Sequence, residues 1–112
     1  METLLERLLA IESVSAAVIA RKDGAIVAST IDGEEAEALG AMGAAAFDSA
    51  VRYVGQLSAD ALGLALFETA RGAVQVGDLG DTLLIVRSAD LSSLGRIRLE
   101  VAHAIKNAPG VR

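Results

Sequence analysis

The sequence predicts an α+β domain in which three helices and five strands follow one another in the order α-β-β-α-β-β-β-α. Three observations carry this prediction. Residues 32–57 form one long helical stretch that is unusually rich in Ala and Gly. The pair Asp23-Gly24 separates two β-branched runs, which is a strong hairpin signal. Residues 83–86 are all apolar, as is typical of a strand covered on both faces.

The composition of the chain already disfavours several classes of function. The chain has 112 residues, 53% of them apolar, a formal net charge of −5 and no cysteine. We expect one domain spanning residues 1–112, without disulfides or thiolate metal ligands. An acidic chain with scattered basic residues is a poor candidate for binding nucleic acid or an anionic membrane. Its N-terminus lacks the pattern of a signal peptide, and no apolar run reaches the roughly 20 residues of a membrane span. A cytoplasmic protein without membrane insertion is therefore expected.

The first part of the chain predicts a short helix followed by a hairpin. Residues 3–11 place Leu4, Leu8 and Ile11 on one side of an amphipathic helix. Two strands are then expected over residues 16–20 and 25–29, because Gly24 accepts the positive φ of a tight turn.

The long helix over residues 32–57 is expected to begin at Asp32, with Glu35 completing a capping box. At about 100° per residue, one apolar stripe is predicted to face the sheet. It consists of Ala36, Leu39, Met42, Ala46, Ala50, Val54 and Leu57. The opposite face carries Glu37, Ala41, Ala44, Ala45, Asp48, Arg52 and Gly55. Because a solvated face normally carries more charge, this weakly charged face predicts contact with a second body.

Three strands are expected after the long helix, over residues 62–69, 73–76 and 82–86. A last helix should begin at Asp90 or Ser92, run to about Asn107 and end at Pro109 and Gly110.

The segment of residues 62–69 is apolar on both faces and contains neither Pro nor Lys. Edge strands usually carry Lys, Pro or a bulge that prevents pairing with another chain. If this segment lies at the edge of a sheet, its free backbone groups would therefore need a partner strand. The alternative is that the segment is a central strand. The residues alone leave both positions open.

The sequence offers little for catalysis. His103 is the only histidine and is expected on the polar side of the last helix. Asp78 and Asp81 are more simply turn residues than an acid pair. There is no spacing typical of a metal site and no phosphate-binding loop. We therefore expect a protein that is not an enzyme and has no catalytic, cofactor-binding or metal-binding residues.

The order of the elements and the residues at their joints resemble the roadblock family of dynein-light-chain-like proteins, in particular the bacterial gliding-motility type that regulates a GTPase. The resemblance covers nearly the whole chain. It is carried by Arg21-Lys22-Asp23-Gly24-Ala25-Ile26-Val27-Ala28-Ser29, the Ala-rich long helix, Gly72-Ala73-Val74-Gln75-Val76, Leu79-Gly80-Asp81-x-Leu83-Leu84 and Leu94-Gly95-x-x-Arg98.

The resemblance implies a five-stranded antiparallel sheet in the order 2-1-5-4-3. The long helix would cover one face and the two terminal helices the other. The strand over residues 62–69 would then be an edge that pairs with its own copy, and the long helices of the two copies would lie side by side.

The resemblance also implies a non-catalytic homodimer that regulates or scaffolds a small Ras-like GTPase over its paired long helices. In the gliding-motility type, regulation takes the form of stimulated GTP hydrolysis without a supplied arginine finger. The implied interface with the second copy or the partner consists of Ala41, Ala44, Ala45, Asp48, Arg52, Gly55, Leu62, Leu64 and Leu66.

Two other functions remain open. One is an adaptor that binds a peptide, a signalling protein or a motor subunit without any GTPase. The other is a small-molecule sensor, which the scarcity of polar and aromatic orienting groups disfavours.

Overall fold

The computed structural model describes residues 3–108 and contains the expected elements in the expected order. The helices are α1 (Leu4–Leu9), α2 (Gly33–Leu57) and α3 (Leu94–Asn107). The strands are β1 (Val14–Arg21), β2 (Ile26–Ser29), β3 (Leu64–Glu68), β4 (Ala73–Asp78) and β5 (Thr82–Ser88). The expected helix stop at Pro109 and Gly110 lies outside the described residues.

The five strands form one antiparallel sheet in the order β2-β1-β5-β4-β3, which confirms the implied topology. Strand β5 is central, and all four of its apolar residues from 83 to 86 are buried. Because successive side chains of a strand point to opposite faces, the burial of all four residues means that both faces of β5 are covered. Strand β3 lies at one edge, so the edge position that the residues alone left open is confirmed.

The two faces of the sheet support two hydrophobic clusters. On one face Leu83 and Ile85 of β5 pack with Ala44 and Phe47 of α2. On the other face the apolar side chains of β1 and β5 pack against α1 and α3. This second cluster contains Leu8, Ile11, Val14, Ala17, Leu84, Val86, Ile97 and Val101. The long helix and the two terminal helices therefore cover opposite faces, as expected.

The hairpin turn is confirmed and one expected cap is wrong. Gly24 has a φ of +96°, a conformation that glycine adopts without steric cost. Asp32 occupies the N-cap of α2 without a side-chain hydrogen bond, so the capping box predicted there does not form. The carboxylate of Glu35 instead forms an ion pair with Arg87 of β5, with 3.1 Å between Oε2 and Nη1.

The loop between β4 and β5 confirms the turn role of Asp78. Its Oδ1 accepts a hydrogen bond from the Gly80 N–H at 2.8 Å and pairs with Lys22 Nζ at 2.9 Å. This ion pair ties the β4–β5 loop to the β1–β2 hairpin.

Candidate interaction surface

The side of α2 that faces the sheet differs from the predicted stripe. The buried residues of the helix are Ala36, Gly40, Gly43, Ala44 and Phe47. Two residues assigned to the stripe, Met42 and Leu57, are 70% and 69% exposed. The prediction was wrong in part. Ala36 of the stripe is buried and Leu39 and Ala50 pack against the core, but the helix is rotated so that Gly40 and Gly43 face the sheet.

The glycines allow α2 to lie close to the sheet. A Cβ atom at Gly40 would lie 2.9 Å from the carbonyl oxygen of Gly24, and one at Gly43 would lie 2.7 Å from Ile85 Cδ1. Real Cβ atoms do not approach other heavy atoms this closely in packed interiors. The helix therefore packs on the sheet through close backbone approach at Gly40 and Gly43 and through one large side chain, that of Phe47.

Most of the predicted interface residues on α2 lie on its exposed side. Ala41, Ala45, Asp48, Arg52 and Gly55 are all exposed. Arg52 Nη2 lies 3.0 Å from Asp48 Oδ2, which confirms the expected ion pair at i, i+4 spacing.

Ala44 is the exception among the predicted interface residues on α2. It is buried between α2 and the sheet, so its side chain faces the core of its own chain and not a partner. The reason is the rotation of the helix, which turns position 44 inward beside Gly43.

The predicted interface residues near β3 occupy the open edge of the sheet. Leu64 and Leu66 belong to β3, and Leu62 precedes it. Leu66 is exposed, whereas Leu62 and Leu64 are half-buried. Strand β3 pairs with β4 on one side only, so the backbone groups of its other side face away from the sheet.

A group of exposed or half-buried apolar residues, which was not predicted from the sequence, joins α2 to β3. We call this group the apolar flank. It consists of Leu39, Met42 and Ala46 of α2 with Phe67 of β3 and Val74 of β4. These residues line a shallow cavity of about 230 Å³ that is almost entirely apolar. Beyond the sheet, the last turns of α2 also expose Val51, Tyr53 and Leu57. The available signal was that the large apolar residues of α2 are not confined to one narrow face of the helix.

The polar groups of the described residues suggest structural roles. His103 is exposed, and its Nε2 lies 3.2 Å from Asn107 Nδ2. Hydrogen bonds from Thr3 hold the pKa of Glu6 below its ordinary value, and hydrogen bonds from Ser92 do the same for the pKa of Asp90. Glu6 completes the capping box of α1 with Thr3, and Asp90 stabilises the turn before α3. Within residues 3–108 no group of three or more His, Cys, Asp or Glu side chains could hold a metal ion. Of the helices in this range, none has both the length and the hydrophobicity of a membrane span.

Comparison with known proteins places this architecture. Residues 1–88 match the model of the Roadblock/LC7 domain. An uncharacterized protein of Methanocaldococcus jannaschii is 31% identical over 94 residues, which cover 83% of this chain and 82% of that protein. A second protein of the same organism is 29% identical over 109 residues, 93% of this chain and 92% of that protein.

Solved structures share the fold at low sequence identity. A Roadblock/LC7 domain from Streptomyces avermitilis superposes with a TM-score of 0.84 at 16% identity, covering 95% of this chain and 92% of that one. A structure of MglB in a tetrameric arrangement superposes with a TM-score of 0.80 at 16% identity, covering 96% of this chain and 84% of that one. MglB of Myxococcus xanthus superposes with a TM-score of 0.78 at 17% identity, covering 92% of this chain and 86% of that one.

Proposed function

Since the chain belongs to the Roadblock/LC7 domain family, we propose that it is a homodimeric regulator or scaffold whose paired α2 helices bind a small Ras-like GTPase. Two copies associate through the β3 edge and the apolar flank. The partner binds on the exposed side of α2 that carries small residues. The chain supplies no catalytic residue and no arginine finger.

The observation that carries the dimer is the continuity of the apolar flank with an open strand edge. Met42 is 70% exposed and Phe67 is 38% exposed, although both are large apolar side chains. Full burial of such a side chain stabilises a protein by about 1.5–3 kcal/mol. A second copy of β3, laid antiparallel against the first, would pair the free backbone groups and cover these side chains together.

The exposed small residues of α2 support the second part of the proposal. With the apolar flank covered by a second copy, Ala41, Ala45 and Gly55 remain on the surface. Their short side chains let another backbone approach closely. Arg52 is held by Asp48 at 3.0 Å, which favours a role in an ion pair on the helix surface and not in the nucleotide site of a partner.

Sedimentation equilibrium at micromolar concentration tests the dimer. The expected mass is about twice the chain mass of 11.5 kDa. Met42→Glu and Phe67→Lys should each give a folded monomer, since each places an unpaired charge in the contact. Leu99→Lys is the matched control, because Leu99 is 73% exposed on α3 and should leave the dimer intact. A monomeric wild-type chain would contradict the dimer.

A pull-down with Ras-like GTPases of the same genome, loaded with GDP or with a GTP analogue, tests the partner. We expect binding that depends on the nucleotide and is lost in Ala45→Glu but kept in Leu99→Lys. Absence of binding in both nucleotide states would contradict this part of the proposal.

Single-turnover GTP hydrolysis separates regulation from scaffolding. Arg52→Ala should leave any stimulation of hydrolysis within about threefold of the wild type, because an arginine finger would instead account for about 10³-fold or more. A loss of that size would identify Arg52 as a finger and contradict the mechanism proposed here.

A further inference from the structure

A second groove lies on the sheet face opposite α2, between the edge strand β3 and the start of α3. We call it the α3 groove. It has a volume of about 350 Å³ and is lined by Leu64, Leu66, Gln75, Leu94, Gly95 and Arg98. The leucines make one wall apolar, and Gly95 leaves the helix side open, since no heavy atom lies within 4 Å of a Cβ built there.

Gln75 in this groove has an unsatisfied hydrogen-bond acceptor. The residue is 2% exposed, and its Nε2 donates a hydrogen bond to the Leu94 carbonyl oxygen at 3.1 Å. Its Oε1 is buried and has no hydrogen-bond partner. Buried polar atoms are nearly always paired in native proteins, so an orphaned one calls for an explanation. The terminal amide torsion of Gln is broad, so the amide is able to rotate when a donor enters the groove.

The helix side of the groove is positively polarised. Ser93 occupies the N-cap of α3 without a side-chain hydrogen bond to the first turn. The carboxylate of Asp90 does not cap it either, because it accepts hydrogen bonds from the Ser92 N–H and hydroxyl at 2.9 and 2.6 Å. The first turn of α3 also contains no acidic residue, so its positive dipole end favours an anionic group.

Arg98, one turn along α3, adds a full positive charge. It is exposed, and within residues 3–108 no ion pair or side-chain hydrogen bond engages it. A carboxylate at this place would meet the N-terminal backbone N–H groups of α3 and a guanidinium together, which is a favourable arrangement for charge-assisted hydrogen bonds.

We propose that the α3 groove binds an extended segment of a partner polypeptide in which an apolar residue precedes an aspartate. The apolar side chain packs on Leu64 and Leu66. A backbone N–H of the segment donates to Gln75 Oε1. The aspartate caps α3 and pairs with Arg98, and Asp is among the preferred N-cap residues. The proposal requires neither the GTPase nor the dimer, since one copy contains every group. The groove lies on the sheet face opposite α2, and it shares Leu64 and Leu66 with the strand whose edge the proposed dimer uses.

NMR titration of the full ¹⁵N-labelled chain tests the proposal. The probe is a pentapeptide of alanine, leucine, aspartate, leucine and alanine, capped at both ends. We expect a dissociation constant on the order of 1 mM, because few atoms of the peptide make contact. The shifted signals should be the Gln75 side-chain amide and the backbone amides of Leu94 and Gly95. The same peptide with asparagine in place of aspartate should bind about tenfold more weakly.

Two variants and one matched control sharpen the test. Gln75→Met keeps the shape and removes the orphaned oxygen, so it should weaken the peptide about fivefold while leaving the chain folded. Arg98→Ala should weaken it about threefold, because the charge is exposed and screened. Arg96→Ala, an exposed arginine two residues away on α3, should leave the affinity unchanged.

Three outcomes would overturn the proposal: no shifts in the groove, equal affinity for the aspartate and asparagine peptides, or groove signals that move on dilution without peptide. The last result would assign the groove to a second copy of the chain. Binding by Met42→Glu should equal that of the wild type, so the failure of the dimer and the failure of this inference can be told apart.

Discussion

A single methyl group at Gly43 tests whether close backbone approach holds α2 against the sheet. In Gly43→Ala the new Cβ would lie 2.7, 3.1 and 3.3 Å from Cδ1, Cγ1 and Cγ2 of Ile85. Ile85 is fully buried in the central strand, and its branched Cβ limits the rotamers that could move it away. The side chain cannot escape by moving its tip alone, because three of its atoms are too close.

Two opposing terms decide the sign of the change in stability. Replacing Gly by Ala inside a helix stabilises it by about 1 kcal/mol. Inserting a methyl group into a packed interior destabilises by about 1–3 kcal/mol. We therefore expect Gly43→Ala to lower the free energy of unfolding by about 1 kcal/mol. In Gly55→Ala, where nothing lies within 4 Å of the new Cβ, only the favourable term operates. That variant should be more stable by about 0.5–1 kcal/mol.

Urea unfolding followed by circular dichroism measures both changes, and one fixed protein concentration keeps the concentration-dependent contribution of association comparable between variants. Ile85→Val supplies the third side of a double-mutant cycle, because it deletes the nearest atom, Cδ1. In that background Gly43→Ala should cost less than in the wild type, because only the two γ carbons of residue 85 remain close to the new Cβ. If Gly43→Ala and Gly55→Ala stabilise equally, the helix is not held by close approach and the reasoning is wrong.

Three further predictions concern single side chains. Ala44→Glu should unfold the chain, costing more than about 3 kcal/mol by burying an unpaired charge, whereas the neighbouring Ala45→Glu should leave the unfolding midpoint unchanged. The folded-state pKa of Glu6 lies below its ordinary value of 4.5. Glu6 therefore contributes fully to the free energy of unfolding above pH 4.5, and this contribution is lost as the pH falls through the lowered pKa. Glu6→Gln should therefore lose less stability than the wild type between about pH 5 and 3, measured by urea midpoints. Arg52→Ala should change the free energy of unfolding by less than about 0.5 kcal/mol, since the ion pair that it breaks is exposed.

The element order could be predicted from the sequence because local signals carried it. The turn at Gly24 needs a positive φ, and the four apolar residues from 83 to 86 need cover on both faces. Each signal depends on a few neighbouring residues and is visible in the sequence. The order of the strands depends on non-local pairing and came only from the family resemblance.

The orientation of α2 could not be predicted from hydrophobicity, because glycine carries no side chain to mark a buried position. Gly40 and Gly43 are buried at the contact, while the larger Met42 is exposed. A pattern that counts large apolar side chains therefore points to the wrong side of the helix. The α3 groove escaped prediction for a different reason: an orphaned acceptor at Gln75 is defined only by its three-dimensional neighbours.

The same small residues let α2 contact more than one body. Gly40 and Gly43 bring the helix so close to the sheet that few of its large side chains are needed there. Leu39 and Met42 are then left beside the β3 edge, where they form the apolar flank with Phe67. A helix packed on larger side chains would stand further from the sheet, and Met42 would then lie further from Phe67. If the proposed dimer uses the apolar flank, Gly43→Ala should therefore weaken the association as well as the fold, which sedimentation of that variant would measure.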